Sequence, residues 1–229
     1  MKSAVLIFAQ LALTFALYFL GVVVLGLALY PSVKLLFFIW NSTEMVGFNL
    51  RIFYLSLGLV LGYFVFGLSA LGLVGLIRFL LRIELREGDY KIGHPMFFKW
   101  FFVNALFLSV KTIFMDFMLL TPLCSFFYRL MGAKLGLHVQ INSKNVADHS
   151  LLAIGDNSVI GGNATIIGHL FERHGLRLRK VKIGKNVIVG LNAVVFPGVI
   201  IEDNVVIAAG AIVPKDTIVP SKTVYYGPK

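Results

Sequence analysis

Thiols are nearly missing from this chain: of 229 residues, one is a cysteine, Cys124. An intramolecular disulfide is therefore excluded, no cysteine-built metal cluster can form, and a reducing compartment suits the protein. Charge is scarce as well. Charged residues make up 14% of the sequence where a soluble domain carries ~25%, while hydrophobic residues reach 58% and the mean hydropathy is +0.86. A chain this poor in polar groups is expected to place part of itself in lipid. Acidic groups are the scarcer charge, 11 against 21 lysines and arginines, giving a net charge of +10. The positive groups flank hydrophobic segments, so anionic lipid headgroups, not nucleic acid, are their expected partners.

The composition is uneven, with a break near Gly132 that predicts a transmembrane and interfacial helical anchor over 1–131 and a separate domain over 132–229. From Ala4 to Tyr30 the polar side chains are Gln10, Thr14 and the tyrosines Tyr18 and Tyr30, a stretch long enough to cross a bilayer as a helix. It is too long for the apolar core of a cleavable signal and has no small-residue exit, so a retained anchor is expected. A second run, Ile52 to Leu76, holds no charge and carries Gly58, Gly62, Gly67, Gly72 and Gly75, which let a neighbouring helix come close. Arg78, Arg82, Arg86 and Lys91 follow it, whereas the loop between the runs offers Lys34 and Arg51. The positive-inside bias then places the C-terminal domain on the cytoplasmic side of the inner membrane. Met96 to Met131 is interrupted by Lys99, Asn104, Lys111, Asp116 and Arg129 and reads as interfacial helices, with Phe97, Phe98, Trp100, Phe101 and Phe102 at headgroup level. A re-entrant hairpin turned at Pro122 is the alternative.

Beyond Gly132 the pattern changes to a period of six: Ile183, Val189, Val195, Ile201, Ile207, Val213 and Val219. Four residues after each of the first six stands Val187, Ala193, Val199, Val205, Ala211 or Thr217. A helix cannot hold a six-residue period on one face, and a flat strand alternates by two. A three-sided coil, one hexapeptide per side, stacks the aliphatic residues inside a narrow prism and fits the small residues at its corners. Gly184, Asn186, Gly190, Asn192 and Asn204 fall at the bends, where φ > 0 is expected. The period extends upstream through Ile154, Ile160 and Ile166, with Ser158 and Ala164, and less clearly to Leu135 and Ile141. It slips by one residue between Ile141 and Ile154 and runs to 17 between Ile166 and Ile183, so Ile167–Lys182 is predicted to be a loop pushed out of the prism.

Gly168-His169, the loop to Lys180, the run VKIGKNVIVGLNAVVFPGVIIEDNVVIAAGAIVPKD and a closing YYGPK resemble the hexapeptide-repeat acyltransferases, in the galactoside and maltose acetyltransferase branch, over Ile154 to Lys229. Phe196, Ala208 and Pro214 depart from the usual Gly or Asp after the aliphatic position. TPLCSFFYRLMGAKLG followed by DHSLLAIGDNSVIGGNATIIGH is similar to the membrane-bound terminal region of poly-amino-acid synthetases of the polylysine type. The first resemblance implies a left-handed parallel β-helix, a homotrimer, and an acyl-CoA donor, acetyl-CoA foremost, lying along the coil edge between subunits with Gly190, Ala208 and Ala209 as backbone contacts. The second implies a carrier-protein thioester as donor, supplied by a carrier or synthetase partner.

His169 is the expected general base, since imidazole titrates near working pH and the family likeness points to the same residue. His174 and Glu172 share its loop and are candidates to orient it or touch substrate. Arg179, Lys180 and Lys185, with Arg173, Arg177 and Lys182, form a basic patch suited to the phosphates of CoA or phosphopantetheine. No metal is expected. The rival readings are a γ-type carbonic anhydrase, with zinc on His169, His174 and either His138 or His149, and a non-catalytic membrane scaffold.

Overall fold

The computed structural model describes residues 2–173 and 175–228. Packing divides the chain into two units, Met1–Ile77 with Ala105–Ile113, and Arg78–Asn104 with Phe114–Lys229. The compositional break near Gly132 is a different cut, because Arg78–Asn104 packs within the second unit.

The first unit contains α1 (Lys2–Ser42), most of α2 (Phe48–Leu80) and the last residues of α3 (Pro95–Ile113). Leu11–Ser42, Phe48–Leu80 and Pro95–Ile113 are long and apolar enough to cross a membrane. The third of these falls where interfacial helices were expected, as one 19-residue helix that ends at Ile113. Gly58, Gly62, Gly67 and Gly75 are buried as expected of a close helix contact, whereas Gly72 is exposed with nothing beside it. A Cβ at Gly58 would stand 2.6 Å from Ile39 Cδ1, and the buried Ser32 hydroxyl donates to the carbonyl of Gly62 at 2.7 Å. Here the seam between α1 and α2 depends on glycine for proximity.

In the second unit α4 (Pro122–Leu130) leads into the coil, whose strands stack as three parallel sheets. One sheet holds Lys134–Leu135, Leu152–Ile154, Val181–Ile183, Ile200–Ile201 and Ile218–Val219. A second holds Gln140–Ile141, Val159–Ile160, Ile188–Val189, Val206–Ile207 and Val224–Tyr225. The third holds Thr165–Ile166, Val194–Val195 and Ile212–Val213. This is the expected left-handed β-helix. Val189, Val195, Ile201, Ile207, Val213 and Val219 pair with equivalents one coil away and point inward, essentially without exposure. Truncating one of them removes partner atoms from above and below at once: Ile207→Ala is expected to cost about 2–5 kcal/mol, read as a lower denaturation midpoint in detergent.

The corners divide the labour between residue types. Asn186, Asn192 and Asn204 adopt φ between 52° and 60°, as expected, and Asn157 and Asn163 do the same at 55°. Gly184 and Gly190 do not. They are required for space: a Cβ on Gly190 would meet the Ala208–Ala209 backbone and one on Gly184 the Asp203 backbone. Asn145, Asn163 and Asn192 form a side-chain ladder up one corner, with Nδ2 to Oδ1 distances of 2.6 and 2.9 Å. This ladder gives Asn163 a structural role.

The register breaks resolve into two insertions. Ile154 pairs with Ile183, Ile160 with Val189 and Ile166 with Val195, each 29 apart in sequence, so one coil of 18 carries 11 extra residues. The interval of 17 from Ile166 to Ile183 is therefore one hexapeptide plus the insertion. The insertion is not an irregular loop. His169–Glu172 and Gly175–Leu178 form an antiparallel hairpin, and Gly88–Tyr90 from the segment after α2 adds a third strand to it. Leu176 and Leu178 are buried against Leu85, Met96, Trp100 and Leu151, which pins the hairpin to the body of the unit.

Candidate active site

Asp148 and His169 occupy the same corner on successive coils, the corner between the third sheet and the first. The one-residue slip seen between Ile141 and Ile154 falls in the coil that carries Asp148, a residue in the left-handed region at φ 54° that opens a short 3-10 turn, His149–Leu151. Its side chain is fully buried and lies 2.6 Å from Nδ1 of His169, whose own side chain is 24% exposed. Four donors converge on this carboxylate. Oδ1 accepts from Trp100 Nε1 at 2.8 Å and from Asn104 Nδ2 at 3.4 Å; Oδ2 accepts from the Gly168 amide at 2.9 Å and from His169.

Burial pushes the Asp148 carboxyl up, but the hydrogen bond and charge of His169, the Gly168 amide and Asn104 outweigh it and hold the group below the usual carboxylate value. An ionised carboxylate has no proton to give, so Nδ1 of His169 must carry the hydrogen between them. Nε2 is then left as a base. The Trp100 ring lies 4.8 Å from the imidazole, fixing its plane from the other side.

None of the three groups that hold His169 was singled out from sequence as a site residue. Asp148 could have been found from the register slip, and Trp100 with Asn104 from a one-turn spacing that puts an indole and a carboxamide on one face of an apolar helix. Glu172, expected beside His169, points elsewhere: Lys215 and Arg177 hold it, and the hydrogen bond from Lys215 leads the effects that lower its pKa. His174 lies outside the described residues.

The expected donor-binding residues fall at three different corners. Gly190, Ala208 and Ala209 stack on consecutive coils between the second and third sheets, where the Gly190 backbone lies directly under the two alanines. Lys185 lies between the first and second sheets and pairs with Asp156 at 3.1 Å. Arg179 and Lys180 follow the hairpin and pair with Asp89 at 2.7 Å and Glu87 at 3.1 Å, so acidic residues preceding α3 neutralise part of the basic patch.

Among the described residues no group of three or more His, Cys, Asp or Glu gathers as metal ligands would. His138 is exposed at another corner, and His149 is buried with its ring 4.5 Å from that of Tyr128. The buried Cys124 thiol is pushed up to about 12 by burial, against a hydrogen bond with Tyr128, and so remains a protonated packing group.

Burial moves the His149 pKa down to about 4, with the nearby Asp148 charge opposing. The folded state holds this ring neutral while the unfolded chain protonates it near ~6.5, so folding stability is full above that pH and falls as pH drops toward 4. The loss should reach roughly 3 kcal/mol across this window. His149→Gln should flatten that part of the stability profile, as measured by denaturant titration at successive pH values.

Residues 152–168 and 180–215 match a family model described as the hexapeptide repeat of succinyl-transferase, so the repeat foreseen from the sequence is of that family's kind. Over 137 residues the chain is 25% identical to Delta-poly-L-ornithine synthetase of Acinetobacter baumannii (strain AB307-0294), covering 57% of this chain and 10% of that protein. The chain thus spans about a tenth of the length of this curated relative. Among solved structures, a hexapeptide-repeat acetyltransferase complexed with acetyl coenzyme A from Vibrio cholerae O1 biovar eltor is similar at 26% identity and a TM-score of 0.37, over 41% of this chain and 54% of that one. A maltose O-acetyltransferase from Clostridium difficile 630 is similar at 22% identity and a TM-score of 0.41, over 61% and 88%.

Proposed function

We propose that this hexapeptide-repeat protein is a membrane-anchored acyltransferase that moves an acyl group, acetyl foremost, from a CoA thioester to a hydroxyl or amine. The observation that carries the reading is the buried Asp148 carboxylate on Nδ1 of His169, which leaves Nε2 as the proton acceptor. The acceptor's O–H or N–H gives its proton to Nε2 as its heteroatom attacks the thioester carbonyl carbon. Collapse of the tetrahedral intermediate breaks the C–S bond, and the imidazolium returns the proton to the departing thiolate.

The donor lies, in this reading, along the Gly190, Ala208 and Ala209 corner, where small residues leave the backbone open, with Arg179 and Lys180 of the His169 corner able to exchange their carboxylate partners for phosphate, while Lys185 stands at the third corner, away from both. The Gly190 corner and the His169 corner belong to different edges of one prism, so a second copy would bring them together; this supports a homotrimer. The apolar helices α1 and α2 and the basic residues after α2 support an inner-membrane anchor with the catalytic unit on the cytoplasmic side; α3, whose residues 95–104 belong to the catalytic unit, is then not a third crossing.

A second reading is favoured by the similarity to a poly-ornithine synthetase: an aminoacyl carrier-protein thioester as donor and an amine as acceptor, giving an amide bond. Detergent-solubilised protein incubated with labelled acetyl-CoA and a membrane extract, followed by mass measurement of the acylated product, tests donor and acceptor together. Product from the CoA thioester supports the first reading. Failure across a panel of CoA thioesters with success on an aminoacyl carrier protein selects the second, and no transfer from either donor overturns both.

A further inference from the structure

The strand that carries His169 also carries Phe171, and alternation along a strand places both on one face. Trp100 joins them, with its ring 4.8 Å from the imidazole and 5.4 Å from the Phe171 ring. Phe97 extends the surface, 6.4 Å from Phe171 edge-on and 6.4 Å from Phe101 in a stacked arrangement, with Phe98 beside it at 5.7 Å. The wall is open where Phe171 is 52% exposed, Phe98 47% and Phe101 36%, while Phe97 between them is half-buried and Trp100 is buried in the core beneath. Exposed aromatic rings gathered beside a reacting imidazole favour an apolar ligand.

The helix beneath the wall is α3, one of the three long and apolar enough to cross a membrane. It supplies both the aromatic rings and the two side chains, Trp100 and Asn104, that donate to Asp148. Aromatic rings at the end of such a helix belong at headgroup depth, where one side of a ring is apolar and the other wet. A reacting pair whose carboxylate is held from so apolar a helix suits a substrate that is itself apolar along most of its length.

We propose that the acceptor is a bilayer-resident amphiphile whose aliphatic chain lies on Phe171, Phe97, Phe98 and Phe101 while its hydroxyl or amine meets Nε2 of His169. The assignment rests on the acyltransfer reading above. The acceptor, not the donor, is placed on the wall because Nε2 takes the acceptor's proton, so the chain nearest the imidazole is the acceptor's own.

The test is photolabelling of the full chain in phospholipid nanodiscs with a long-chain alkyl alcohol that carries a diazirine near its hydroxyl end. The expected result is adducts on the peptides holding Phe97–Phe101 and Phe171, competed by unlabelled long-chain alcohol. Phe171→Glu should reduce them about tenfold, and Phe171→Leu should keep them. His169→Ala should label like wild type, because the wall does not depend on the base. Wall labelling in a protein that transfers no acyl group would refute the acyltransfer reading and leave the apolar subsite standing. Labelling indifferent to Phe171→Glu, or displaced by long-chain acyl-CoA and not by the alcohol, overturns the proposal, the latter by giving the wall to the donor's acyl chain.

Discussion

Replacing His169 by alanine should lower acyl transfer by roughly 10²–10⁴-fold, the range over which a positioned general base contributes. The loss should fall on kcat, since the imidazole takes the proton only as the carbon–heteroatom bond forms, whereas binding of both substrates rests on other surfaces. The fold should survive. His169 sits at a corner with part of its side chain exposed, outside the set of stacked aliphatic positions that fill the prism. Turnover unchanged in His169→Ala, measured with the same labelled donor, would favour a scaffold role for the repeat and remove the proposed chemistry.

Asp148→Asn should be nearly as damaging, for a reason that the four donors make explicit. Both carboxylate oxygens accept hydrogen bonds, Oδ1 from Trp100 and Asn104 and Oδ2 from Gly168 and His169. An amide has one oxygen. Turned so that its oxygen meets Trp100 and Asn104, it points its NH2 at the Gly168 amide and at Nδ1 of His169. The imidazole can satisfy that NH2 only by giving up its Nδ1 hydrogen, which moves the proton to Nε2 and leaves no base facing the acceptor. Turned the other way, it opposes the indole N–H. Activity is expected to fall by about 10²–10⁴-fold, with a stability cost of about 1–3 kcal/mol for the donor left unpaired. Asp148→Asn should also change the pH dependence of the residual rate, which a purely structural role for the carboxylate would leave in place.

What could be read from the sequence, and what could not, follows from the range of the interactions involved. The prism was legible because its signal repeats: each inward Ile or Val meets the same neighbours one coil away, so a period of six marks every position independently. His169 was legible because it stands at the start of the longer of the two segments that interrupt this period. Its partners were not, since Asp148 is brought beside it by the coil stacking and Trp100 and Asn104 by a helix about 65 residues earlier in the chain. Nothing local to any of the three announces the meeting. Glu172 was a reasonable neighbour by sequence distance, but strand alternation sets its side chain against Lys215 and Arg177. The strand Gly88–Tyr90 escaped notice for a similar reason: three residues between an arginine-rich segment and a glycine turn carry too short a pattern to mark them as a sheet edge. Likewise the glycines at 184 and 190 advertise a bend, but only the stacked coil shows that they answer a close approach and not a positive φ.

The central claim is that the Asp148 carboxylate holds the proton of neutral His169 on Nδ1 and so keeps Nε2 bare. Nitrogen-15 NMR of the detergent-solubilised protein, labelled at histidine and assigned by comparison with His169→Ala, reads that tautomer directly. For the neutral ring the expected result is a protonated Nδ1 and a pyridine-like Nε2, with the two exchanging roles in Asp148→Asn. A wild-type ring that carries its proton on Nε2 would contradict it.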